Sequence, residues 1–165
     1  MNRVFGLFCA AMVSATQGMA QEPSRLVYGL GYDDVRDYRE PSAQVSVELE
    51  WGTVPKLTAL RWRAGAMAML DGDLWLGAAV SYRAPLFEGP WLFEASFGPG
   101  FYYRKDEAPG IGNLHFPMFR SQGGFGYAFD SGATIAVLLS HLSDGGLDLD
   151  AGSSEAIVVT YSRAF

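Results

Sequence analysis

The sequence predicts an all-β fold, an eight-stranded antiparallel transmembrane β-barrel of the bacterial outer membrane. Three observations point there. Hydropathy alternates with a period of two, which is the spacing of side chains on one face of a strand. The alternating runs number eight and are about ten residues long, the length of a tilted strand crossing a bilayer. Where the alternation is clearest, one face is bulky and aromatic and the other is small or polar.

Composition narrows the alternatives. The chain has 165 residues, of which 49% are hydrophobic and 18% charged, against about 25% charged in an ordinary soluble domain. It is too apolar and aromatic to be disordered. A net charge of -6 gives no basic footprint for nucleic acid. One cysteine, Cys9, excludes a disulfide framework. The length fits one domain.

Residues 1–20 read as a secretory signal peptide. Arg3 supplies the basic end, 4–15 the apolar core, and Gly18-Met19-Ala20 a small-x-small cleavage site. Residues 21–165 then form the barrel and contain no apolar run long enough for a spanning helix, which takes roughly 20 residues. The first two expected strands are 25–34 and 43–50. Strands 59–70 and 73–83 follow, joined at Asp71-Gly72, a strong hairpin signal between apolar runs. Strand 91–102 begins after Glu88-Gly89-Pro90. The charged stretch Arg104-Lys105-Asp106-Glu107 and Pro109-Gly110 belong to a long exposed loop. Strands 118–129 and 134–143 flank a turn at Asp130-Ser131-Gly132, and 155–165 completes the set. The soluble secreted β domain is the competing architecture.

Facing decides between them. In 118–129 the odd positions Phe119, Phe125, Tyr127 and Phe129 are large, and the even ones include Arg120, Gln122, Gly124, Gly126 and Ala128. Bulky outward and small or polar inward is the lipid-spanning pattern, and a narrow barrel has little room inside. In the last strand Ile157, Val159, Tyr161 and Phe165 share the outer face, with Arg163 the exception near the end. Closure also leaves no open strand edge in lipid.

The candidate chemistry lies at the end of the chain. His141 and Ser143 share a face of the seventh strand with Ile135, Val137 and Leu139. Glu155 is in phase with the outer face of the eighth. Adjacent strands can therefore cluster Ser143, His141 and Glu155 on the outside of the barrel, near one rim. A serine needs a base to take its proton, histidine is the usual base, and a carboxylate fixes its tautomer. The bland alternative makes His141 an interfacial residue, Ser143 a turn residue and Glu155 a cap. With two histidines far apart and no cysteine after residue 20, no metal site and no cofactor are implied.

These residues resemble the outer-membrane lipid A 3-O-deacylase family of eight-stranded barrel hydrolases. That family's pattern is His-x-Ser-Asn, then a glutamate fourteen residues after the histidine, then a strand ending in Phe. His141, Ser143, Glu155 and Phe165 match it, and Phe119 to Tyr127 looks like the family's sixth strand. The resemblance implies Ser143 as nucleophile, His141 as base and Glu155 as the group orienting the histidine. It implies lipid A, or lipopolysaccharide, as substrate and the outer-membrane assembly machinery as a partner in biogenesis. Whether the barrel pairs into a homodimer stays open. One position departs: Asp144 stands where the family has Asn, and an ionised carboxylate repels an oxyanion. Either Asp144 points away, or activity is weakened or altered, or backbone amides supply the oxyanion donors; those of Asp144, Gly145 and Gly146 are the expected ones. Arg104 and Lys105 are candidate contacts for lipid A phosphates, or simply solvated loop residues. A non-catalytic structural or adhesive barrel and an outer-membrane phospholipase are the rival functions. Loops after odd strands should be extracellular, which puts the candidate triad at the outer rim.

Overall fold

A computed structural model describes residues 23–33, 42–105, 113–147 and 153–165. They form eight strands: β1 (Arg25–Asp33), β2 (Ala43–Val54), β3 (Leu57–Met69), β4 (Leu74–Pro85), β5 (Trp91–Tyr103), β6 (Leu114–Ala128), β7 (Ala133–Ser143) and β8 (Ser153–Ala164). Each pairs antiparallel with the next, and β1 pairs with β8 to close the barrel. The expected signal peptide lies outside the described residues, as do Asp106 and Glu107 of the charged loop.

The expected strands are all present, most within two residues of the expected bounds, and two are four residues longer at one end. β2 runs on through Trp51 to Val54, where Gly52 adopts a positive φ of 46° and the register with β3 shifts. That local bulge lets pairing continue past a glycine that reads as a stop. β6 starts at Leu114 rather than 118, ahead of Pro117. Here too the register shifts, between Gly100 and Tyr102 on β5, and Phe101 stacks on Phe116 across it.

The two hairpin turns read from sequence are built as expected. Gly72, at φ 105°, donates to Met69 O, and Asp71 Oδ1 accepts from Asp73 N at 3.1 Å. Gly132, at φ 78°, donates to Phe129 O at 2.9 Å. Three of the four segments after odd strands, 34–42, 104–113 and 144–152, are longer than any segment after an even strand, the longest of which is 86–90. Long loops mark the extracellular end of such barrels and short turns the periplasmic end.

The lumen is packed with side chains in two layers. Toward the long-loop end lie Met67, Met69, Trp75, Tyr102, Met118 and Leu142, all buried. A side chain at Gly77 or Gly100 would strike the Trp75 ring, so these glycines make the space the indole occupies. Below it, Arg120 stacks over Trp75 and binds Glu48 at 3.0 Å, which also binds Arg63 at 2.6 Å. Arg61 meets Glu50 at 3.1 Å and Arg83 meets Glu94 at 2.8 Å. Buried charges hold together only when paired this way.

The outer wall is apolar. Leu30, Val47, Leu76, Phe97, Phe125, Val137, Leu139 and Val159 all stand exposed on it. A patch of this extent is abnormal for a water-facing surface and ordinary for a lipid-facing one. Trp51 pairs with Trp62, and Trp91 with Tyr127 edge-on at 5.3 Å, at the short-turn end. These are the aromatic residues that mark a membrane interface.

Candidate active site

The site is assembled by the register of three adjacent strands. In β6, β7 and β8 one row across the sheet reads Ser121, His141, Glu155, with Ser121 opposite His141 and His141 opposite Glu155. All three belong to the outward phase, and the row lies near the long-loop end of the strands. His141 Nδ1 approaches Glu155 Oε1 at 3.4 Å, with the two side chains 46% and 25% exposed. That distance is long for a hydrogen bond, as is common in sites without substrate. Beside the row the wall sinks into a depression of about 440 Å³, lined by Ser121, Gly123, Leu139, His141 and Glu155 and the residues between them. A side chain at Gly123 would meet nothing within 4 Å, so the glycine leaves this hollow open.

Ser143 stands one step further along β7, on the same face as His141, opposite Phe119 on β6 and Ser153 on β8. Its spacing from His141 is two strand residues, about 6.6 Å along the strand. Among the described residues no hydrogen bond joins the two side chains. The structure thus brings His141 and Glu155 into contact and leaves Ser143 adjacent on the same face.

Asp144 departs from the outer face. It is buried, and its Oδ1 accepts a 2.8 Å hydrogen bond from Gly146 N. The carboxylate therefore ties the turn and does not stand among the outward residues. The same bond engages the Gly146 amide, one of the three expected oxyanion donors. Gly145 and Gly146 hold positive φ of 71° and 80°, a conformation that favours glycine.

Arg104 and Lys105 are placed away from the row. Arg104 lies over the Tyr102 ring at 5.9 Å, the Lys105 backbone donates to Asp73, and the Lys105 stem rests against Gly72. They belong to the β3–β5 side of the barrel. Among the described residues no group of three or more His, Cys, Asp or Glu is arranged to hold a metal ion.

Ser121 is the polar residue of the row that the sequence reading passes over. The signal for it is available: it is a hydroxyl at an odd, outward position of β6, between Phe119 and Phe125 on the lipid face.

Closed antiparallel barrel, filled lumen and apolar wall define a small multi-pass β-barrel of the outer membrane, here with a polar row on its lipid-facing side. The chain belongs to the lipid A 3-O-deacylase (PagL) family, whose model matches residues 27–163. It is a family of lipid A-modifying barrel enzymes. Among solved structures, the outer membrane enzyme PagL matches at 18% identity over 86% of this chain and 99% of that one, with a TM-score of 0.57. Neisserial surface protein A matches at 9% identity over 90% of this chain and 100% of that one, with a TM-score of 0.63. The N-terminal β-barrel domain of Pseudomonas aeruginosa OprF matches at 10% identity over 87% of this chain and 99% of that one, with a TM-score of 0.56. At these identities the structures share the fold. No curated protein sequence matches the chain.

Proposed function

We propose that the chain hydrolyses the 3-position acyl ester of lipid A by a Ser143–His141–Glu155 triad on the outer wall. The observation that carries the reading is the in-register pair of His141 and Glu155, a histidine and a carboxylate in contact on a surface otherwise apolar. A hydrolase acting on a soluble substrate places its site in a cleft. A site on the wall near the long-loop end suits a substrate in the outer leaflet, whose ester bonds lie just under the headgroup.

Glu155 holds the proton of His141 on Nδ1, which leaves Nε2 as the base. Ser143 Oγ attacks the ester carbonyl as His141 takes its proton. The carbonyl electron pair moves onto oxygen. Collapse of the intermediate breaks the bond to the sugar oxygen, which leaves with the proton from His141. Water then attacks the acyl-serine by the same route and frees a hydroxy fatty acid.

Mass spectrometry of lipid A from cells expressing wild type or Ser143→Ala tests the proposal. Loss of one hydroxyacyl group with wild type alone supports it. Unchanged lipid A beside folded wild-type barrel overturns it; loss of acyl chains from phospholipid instead would make the chain a phospholipase.

A further inference from the structure

Ser121 has no part in the triad just proposed, yet it is the third member of the row that holds His141 and Glu155. It flanks His141 on the side opposite Glu155 and lines the same depression. Among the described residues its one hydrogen bond is slight: Oγ donates to His141 O at 3.5 Å, at the outer limit of hydrogen-bond length. The hydroxyl can therefore be redirected at little cost. At position 144, where the family pattern has an Asn amide, the side chain here offers no donor. Asp144, if ionised, has no proton to give, it is buried, and it engages the Gly146 amide.

We propose that Ser121 Oγ–H donates a hydrogen bond to the oxyanion of the tetrahedral intermediate formed on Ser143. The inference rests on Ser143 being the nucleophile. Ser121 and Ser143 are diagonal neighbours across β6 and β7, with Cβ atoms about 7–8 Å apart. Hydroxyls turned toward one another approach to about 5 Å, room for one carbonyl group between the attacking oxygen and the donor. As the Oγ–C bond forms at Ser143, the π pair goes to the carbonyl oxygen and the Ser143 proton to His141. The Ser121 proton is shared with the oxyanion and stays on Ser121.

The test uses the full-length barrel in detergent micelles, with lipid A as substrate and a long-chain alkyl fluorophosphonate as covalent probe. Ser121→Ala should lower kcat by about 10²-fold with KM little changed. Phosphonate labelling of Ser143 should slow in parallel, and Ser121→Thr, which keeps the hydroxyl, should recover most of both. Heat-dependent gel migration checks that each variant is folded. A wild-type kcat for Ser121→Ala, a loss confined to KM, or a phosphonate adduct on Ser121 would overturn the donor role. The two readings fail separately: an active Ser143→Ala variant sinks the triad, whereas an inactive Ser143→Ala beside a fully active Ser121→Ala sinks only the inference about Ser121.

Discussion

Arg120 and Ser121 are consecutive, and they face opposite worlds. Arg120 points into the lumen, where it binds Glu48 at 3.0 Å beside the 2.6 Å pair of Arg63 and Glu48. Ser121 points out, where its hydrogen bond to His141 O is 3.5 Å long and the neighbouring His141–Glu155 contact is 3.4 Å. The same alternation sets Ser140 inside against His141 outside, and Ala156 inside against Glu155 outside. The charged lumenal groups are buried and paired with one another at 2.6 to 3.1 Å, so their task is to fill and hold the barrel. His141 and Ser121 stand on the wall at the ends of contacts of 3.4 and 3.5 Å, in a surface that lipid would otherwise cover. Polarity facing lipid, where it costs energy, is the mark of a functional site.

The largest effect should come from removing the base on the wall. His141→Asn should cut deacylation on the order of 10⁴-fold or more, since members of a triad act as a unit. The barrel should meanwhile unfold in urea at the wild-type midpoint. A matching loss of stability would erase the distinction between wall and lumen, and make His141 another structural residue.

Much of this division was legible in the sequence. Period-two alternation assigns a face to every strand residue, so the outward phase of His141, Ser143 and Glu155 follows directly. Their row does not. Register depends on where β7 and β8 turn, and the phase of Glu155 alone left its partner one of several outward residues. Ser121 gives a weak signal because the outer face of β6 is marked by its bulky members, among which a serine looks like a gap. The inward direction of Asp144 continues the alternation of β7, but its partner was not legible. Asp144 lies just past the last residue of β7, where the turn and its bond to Gly146, rather than strand alternation alone, fix the side chain. The lumenal ion pairs reach across the barrel between strands far apart in sequence, Glu48 of β2 to Arg120 of β6, and no local pattern encodes such a pair.

The lumen should show the reverse response to the wall. Arg120→Met leaves Glu48 with one arginine in place of two, and breaking a buried pair costs about 3–5 kcal/mol. Urea unfolding followed by tryptophan fluorescence reads this as a lower midpoint. Replacing Glu48, Arg63 and Arg120 together by Leu, Met and Met should recover most of the stability, because no charge is then left unpaired. If the triple variant is as unstable as the single one, the network does more than neutralise itself.

Asp144 sits at the border between the two regions, and its substitution should matter least. It is buried like a lumenal residue, yet it follows Ser143 directly and ties the turn beside it. Asn keeps an oxygen that can accept from Gly146 N, so the turn should survive Asp144→Asn. Exchanging a charged acceptor for a neutral one weakens such a bond by about 1 kcal/mol, which bounds the change in deacylation rate to about fivefold. Asp144→Ala removes the acceptor altogether and should cost more than Asn does, through the turn. A rate increase of several orders of magnitude in Asp144→Asn would give a different answer. It would mean that the new amide reaches the oxyanion and that the carboxylate had been suppressing the reaction. Ser121 would then lose the reason for its role, because the missing donor would have been found at residue 144.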